Sequence, residues 1–137
     1  MAESLTIQEL VDARGRSLGL EYVTPSVPLA GKCSDPDVAS PGLALAGFVD
    51  RFPEGRIQIF GQTEMMYLAG LGPEQTRERL DGFFAHGIPA AFVSKGQEVP
   101  PVLAEAAQGH GIPLFRSSLS TRDLFRRLKA FLEVALA

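Results

Sequence analysis

Cysteine is almost missing from this sequence. Cys33 is the single one in 137 residues, so no disulfide can close within the chain and no thiolate cluster can hold a metal. A reducing compartment, the cytoplasm, is the expectation that follows. A basic and apolar leader is missing too: Met1-Ala2-Glu3-Ser4-Leu5-Thr6 carries neither part of one. No apolar run approaches the roughly 20 residues that a membrane-spanning helix needs. Positive charge is in deficit, with a formal net charge of −3. Nucleic acids and anionic lipid surfaces need a net or clustered positive field, so neither is expected as a partner. Two common phosphate cradles, G-x-x-x-x-G-K-[ST] and G-x-G-x-x-G, occur nowhere in the chain. A triphosphate therefore has no ready seat.

What is present reads as one ordinary folded domain spanning residues 1–137. The chain is 45% hydrophobic and 21% charged, close to globular averages, and a chain of this length buries roughly two-thirds of its unfolded surface. Thr6-Ile7-Gln8-Glu9 is a capping-box pattern, which predicts a helix from there to about Arg14, ended by Gly15. Leu18 to Val23 reads as a strand. Residues 24–41 hold four of the ten prolines, Pro25, Pro28, Pro36 and Pro41, and read as a long loop. Pro41 then opens a helix over Gly42 to Phe48.

The second half alternates strands and helices. Arg56-Ile57-Gln58-Ile59-Phe60 alternates polar and apolar residues as a strand does, and Gly61-Gln62-Thr63-Glu64 turns it into a helix. Pro73-Glu74 starts another. His86-Gly87-Ile88-Pro89 then precedes one apolar run and His110-Gly111-Ile112-Pro113 precedes a second. Each copy reads as a helix-to-strand joint, with glycine in the left-handed position after the helix and proline at the head of the strand. Ile88 to Val93 and Ile112 to Phe115 are short and apolar enough to be buried parallel strands, with Pro100 to Gly109 as the crossover helix between them. Ser120-Thr121-Arg122-Asp123 begins a last helix whose Leu124, Phe125, Leu128, Phe131, Leu132 and Leu136 keep a helical period. The expected fold is α/β, a mainly parallel and possibly mixed sheet flanked by helices.

In such a sheet ligands bind beyond the carboxyl ends of the strands, where helix N-termini offer free N–H groups. Three strand ends there bring together Thr63, Lys95, Arg116, Ser117, Ser120 and Thr121, a set that could hold a small phosphate or carboxylate. The competing reading makes Thr63, Ser120 and Thr121 helix caps, and Lys95 and Arg116 solvated loop charges. His86 and His110 fall at helix C-termini, where an imidazole complements the dipole, and this competes with any metal or acid–base role. Cys33 lacks an evident base nearby. Asp35, Asp37 and Asp50 lack the spacing of a calcium loop. Neither a catalytic residue nor a metal ligand emerges from these patterns.

The motifs in their order resemble a known family. Pro41-Gly42-Leu43-Ala44-Leu45-Ala46-Gly47-Phe48, then Phe52-Pro53, Arg56-Ile57-Gln58-Ile59-Phe60-Gly61-Gln62-Thr63-Glu64 and Tyr67-Leu68 are similar to the amino-terminal domain of bacterial HPr kinase/phosphorylase. Ile88-Pro89, Ile112-Pro113-Leu114-Phe115-Arg116 and Ser120-Thr121 extend the resemblance. Gln62 and Ser40 depart from it, standing where basic residues are common in the family. The resemblance implies a regulatory or assembly domain without catalytic residues, with a fold similar to the first domain of muramoyl ligases. It also implies a parent enzyme that phosphorylates and dephosphorylates a seryl residue of HPr in carbon catabolite repression. The ATP and magnesium sites of that family lie in a carboxyl-terminal domain with no counterpart here, and the family is homo-oligomeric. The expected partners are that catalytic domain in the same polypeptide and, through it, HPr. A stand-alone sensor of a phosphate-like or nucleotide-like ligand is the alternative.

Overall fold

The computed structural model describes residues 3–47 and 54–137. Two short pieces open it. Strand β1 (Leu5–Thr6) leads directly into helix α1 (Ile7–Arg14). The capping box forms as the sequence predicts: Thr6 Oγ1 accepts from the Glu9 amide at 3.1 Å, and Glu9 Oε1 accepts from the Thr6 amide at 2.9 Å. Gly15 closes the helix in right-handed conformation, and strand β2 (Leu20–Tyr22) follows.

The proline-rich stretch read as a loop contains two strands of two residues each. β3 (Lys32–Cys33) pairs antiparallel with β1, and β4 (Val38–Ala39) joins the main sheet as an edge. Two-residue strands carry too little pattern to stand out among prolines, and only the tertiary partner reveals them. Helix α2 (Gly42–Leu45) is shorter than the expected 42–48, with a turn at Ala46 and Gly47; Phe48, Asp50, Phe52 and Pro53 lie outside the described residues.

From there the alternation is regular: β5 (Ile57–Phe60), α3 (Gln62–Ala69), α4 (Pro73–Phe84), β6 (Ala91–Val93), α5 (Pro101–Gly109), β7 (Leu114–Ser117) and α6 (Thr121–Ala135). The main sheet has five strands in the order β2-β7-β6-β5-β4. β4, β5, β6 and β7 run parallel, and β2 pairs antiparallel with β7 through Leu20–Ser117, Glu21–Arg116 and Tyr22–Phe115. This is a mixed, mostly parallel α/β sheet.

Successive side chains of a strand point to opposite faces, and each face meets its own helices. Phe60, Ala91, Val93 and Leu114 pack with Leu68 of α3, Leu80, Phe83 and Phe84 of α4, and Leu103, Ala106 and Ala107 of α5. On the other face Ile57, Ile59, Phe92 and Phe115 meet Ile7 and Leu10 of α1 and Leu124, Leu128 and Leu132 of α6. Burial on both faces overrides the polar–apolar alternation read in β5: Gln58 is only 1% exposed, and all four residues of that strand are buried. Thr24 closes the sheet at one corner, its Oγ1 accepting from the Leu114 amide at 3.0 Å while fully buried.

The two histidine joints differ. Gly111 adopts a left-handed φ of 69°, whereas Gly87 is not among the positive-φ glycines. Both histidines bond to acidic side chains, His86 Nδ1 to Glu54 Oε1 at 3.4 Å and His110 Nε2 to Asp81 Oδ1 at 3.1 Å.

Candidate functional site at the carboxyl edge of the sheet

β5, β6 and β7 end side by side, and the turns that leave them are tied to one another. After β6, the Ser94 amide donates to Phe60 O at 3.1 Å. Its hydroxyl lies 2.5 Å from Thr121 Oγ1 and 3.4 Å from Phe60 O. After β5, Gly61 is the N-cap of α3, and the Glu64 carboxylate folds back so that Oε1 accepts from the Gly61 amide at 2.7 Å. A Cβ at position 61 would stand 3.1 Å from Thr121 Oγ1 and 3.2 Å from Glu64 Oε1. The close approach of the α3 and α6 starts therefore uses the glycine.

This geometry fixes the role of the first turn of α3. A helix N-terminus favours an anion, and here the chain supplies its own, the Glu64 carboxylate, 9% exposed. Thr63 is not the cap that one reading expected. It is the second residue of α3, exposed, and the capping is done by Gly61 and Glu64. The legible signal was Glu64 itself, three residues beyond the cap, where a capping-box acid belongs.

The turn after β6 is left-handed at two consecutive residues, Lys95 with φ 64° and Gly96 with φ 61°. Such a turn can cradle an anion with its amides, but these amides are engaged: Lys95 N donates to Leu119 O at 2.6 Å and Gly96 N to Ser117 O at 2.7 Å. The Lys95 residue is exposed. After β7, the Ser117 hydroxyl is fully buried, donating to Leu18 O at 2.6 Å and accepting from the Leu119 amide at 3.1 Å. Ser120 caps α6 by accepting from the Asp123 amide at 3.1 Å. Arg116 belongs to the strand, and its Nη2 lies 3.0 Å from Glu21 Oε1 on the neighbouring antiparallel strand.

Of the six residues expected at this edge, the structure bonds Thr121 to Ser94, spends the Ser117 hydroxyl on Leu18 and Leu119, and uses Ser120 as the α6 cap. It leaves Thr63 and Lys95 exposed, and turns Arg116 toward Glu21. Ser94, Gly61 and Glu64 were not singled out as site residues by sequence reasoning; Ser94 makes the bond to Thr121, and Glu64 caps α3 through the Gly61 amide. These bonds serve to lock three strand ends; a hydroxyl nucleophile also needs a base within hydrogen-bond reach. His86 and His110 precede β6 and β7 and so stand at the amino edge, the opposite end of the sheet.

The remaining candidates are also accounted for by local contacts. Burial pushes the Cys33 thiol above its ordinary pKa, which keeps it in the poorly nucleophilic thiol form, and its Sγ donates to Asp35 O at 3.3 Å. Asp35 pairs with Arg56 at 3.1 Å, and Asp37 with Lys129 at 2.6 Å and Arg56 at 3.5 Å.

The family model described as HPr Serine kinase N terminus matches residues 5–132. The chain belongs to that family. The match runs from β1 into α6 and so includes both faces of the sheet. HPr kinase/phosphorylase of Listeria monocytogenes serotype 4a (strain HCC23) is 35% identical over 137 residues, covering 100% of this chain and 43% of the relative. The corresponding protein of Geobacillus kaustophilus is 34% identical over 118 residues, covering 86% of this chain and 38% of the relative. The chain thus spans less than half the length of these curated relatives. Among solved structures, the CBS and DRTGG domains of the regulatory region of Clostridium perfringens pyrophosphatase, complexed with the activator diadenosine tetraphosphate, superpose with a TM-score of 0.58. That likeness covers 90% of this chain and 46% of the other at 12% identity, and it is one of fold.

Among the described residues, no helix of this member of the HPr kinase amino-terminal family is long and apolar enough to cross a membrane.

Proposed function

We propose that this chain is the non-catalytic, regulatory and assembly portion of a cytoplasmic, homo-oligomeric HPr kinase/phosphorylase. The observation that carries the reading is the family match over residues 5–132, together with relatives that align with the whole chain over only 43% of their own length. The catalytic portion is then the partner in the same polypeptide. It binds ATP and magnesium, and through it the protein acts on a seryl residue of HPr in carbon catabolite repression. The geometry of the carboxyl edge supports this division of labour, because its buried hydroxyls and the Lys95 and Gly96 amides are bonded within the protein and the histidines stand at the other edge.

A chimera in which this chain replaces the matching part of the Listeria protein tests the reading. It is expected to phosphorylate HPr and to assemble like the Listeria enzyme. A chimera that folds but neither assembles nor phosphorylates HPr contradicts the reading.

A second reading, a sensor of a phosphate-like or nucleotide-like ligand at Thr63, Lys95, Arg116, Ser117, Ser120 and Thr121, draws support from the exposed left-handed Lys95 beside the α6 start. The nucleotide-activated regulatory region with a similar fold points the same way. Calorimetric titration with sugar phosphates and nucleotides separates the two readings: heat that disappears in Lys95→Ala favours the sensor, and no heat favours assembly alone.

A further inference from the structure

Away from the carboxyl edge, α1 and α6 leave a groove between them with a volume of about 440 Å³. Leu18, Ala130, Phe131 and Val134 give it an apolar lining, and Arg14 and Arg127 line it as well. The helical period explains the groove: 127, 130, 131 and 134 form one stripe of α6, beside the stripe of Leu124, Leu128 and Leu132 that packs on the sheet. Val134 is left 76% exposed.

Among the described residues, the charges on α6 divide into paired and unpaired ones, and Arg122 falls with the unpaired. On the same helix Arg126 pairs with Asp123 at 3.1 Å, and Lys129 with Asp37 at 2.6 Å and Glu133 at 3.8 Å. Arg14 and Arg127 have no carboxylate within ion-pair distance among the described residues. Arg14 instead lies 4.9 Å above the centre of the Phe131 ring, and Arg127 Nη1 donates to Ser17 O at 3.3 Å. Arg14 Nη1 also donates to Ala13 O at 3.0 Å, and each exposed guanidinium keeps donors for a further partner. In a chain of net charge −3, two arginines outside any ion pair among the described residues meet at one apolar groove, with Asp123 acting on Arg127 only at longer range. Arginine and aromatic side chains in such a setting are the usual anchors of protein contacts.

We propose that this groove docks a segment of the catalytic portion of the full-length protein, one that presents a leucine- or phenylalanine-sized side chain flanked by Asp or Glu. The apolar side chain covers Phe131 and Val134, and its acidic neighbours take the free donors of Arg14 and Arg127. Charge complementarity selects this occupant: a basic or neutral segment would leave two guanidinium groups desolvated without a counter-charge. Stacking on Phe131 already orders Arg14, which lowers the entropy lost on docking. The proposal rests on the assembly reading above and names the face that assembly uses.

The test is hydrogen–deuterium exchange, read by mass spectrometry, on the chimera with the Listeria catalytic portion and on this chain alone. Residues 14–18 and 127–135 are expected to exchange roughly tenfold more slowly in the chimera, the size of effect that a docking contact of modest strength gives. In the double variant Arg14→Glu/Arg127→Glu the slowing is expected to vanish, while Arg14→Lys/Arg127→Lys keeps part of it. Thermal melting checks that each variant still folds. Equal exchange in chimera and isolated chain, in a chimera that phosphorylates HPr, overturns the docking proposal and leaves the assembly reading standing. Slowing that survives the charge reversal also overturns it. Slowing that appears in the isolated chain as its concentration rises identifies a second copy as the occupant and overturns it as well. A folded chimera with neither activity nor slowed exchange anywhere in this chain overturns the assembly reading and the docking proposal together.

Discussion

Thr121 and Ser94 meet through their hydroxyls 2.5 Å apart, beside a glycine that leaves them room. Thr121→Val keeps the shape and removes the partner, leaving the buried Ser94 hydroxyl with Phe60 O alone. The expected loss is about 1 kcal/mol, the ordinary net worth of one such bond, read as a lower urea midpoint with an unchanged slope. A second residue-scale effect depends on pH. The hydrogen bond from Lys129, reinforced by its charge, holds the Asp37 carboxyl below its ordinary 3.8, and the same contact raises Lys129 above 10.5. With the folded pKa of Asp37 below the unfolded one, its contribution is fully present above pH 3.8 and is lost as pH falls through the folded value. Lys129 has the opposite sign, its contribution full below 10.5 and lost as pH rises through its folded value. Both groups are exposed and screened, so the effect is small. Unfolding midpoints measured from pH 2 to 6 are expected to fall less steeply toward acid in Asp37→Asn than in the unaltered chain; identical slopes would remove Asp37 from the acid limb.

At the scale of elements, α6 does most to close the second face of the sheet. Leu124, Leu128 and Leu132 are each fully buried on it. Leu128→Ala is expected to cost about 2–5 kcal/mol, the range for a leucine truncated in a packed core, whereas Arg126→Ala, which breaks only an exposed pair with Asp123, should cost well under 1 kcal/mol. Chemical denaturation of both variants distinguishes a packing helix from a solvated one. The helices and buried strands were legible because their signals are local: the Thr6–Glu9 capping box, the leucine period of α6, the apolar runs before and after the crossover helix. β3 and β4 were not, since two residues carry no period and their partners lie far along the chain. The burial of Gln58 was hidden for a related reason, because only tertiary packing covers both faces of β5. At the carboxyl edge the sequence located the three strand ends, yet their chemistry depended on side-chain direction. Arg116 turns to Glu21 because an antiparallel edge strand puts that carboxylate opposite it, and Thr63 is released from capping because Gly61 and Glu64 perform it.

For the molecule as a whole, the sheet separates three regions with different duties. The carboxyl edge is tied by bonds between its turns, the amino edge carries His86 and His110 in pairs with acids, and Arg14 and Arg127 line the α1–α6 groove. The chain matches its family over residues 5–132 and its relatives over less than half their length, and in the function proposed above it holds and regulates a catalytic portion. The most direct measurement is ATP-dependent transfer of phosphate to HPr, assayed with magnesium for this chain alone and for its chimera with the Listeria catalytic portion. The account predicts phosphoserine on HPr with the chimera and none with the chain alone; transfer by these 137 residues unaided would contradict it.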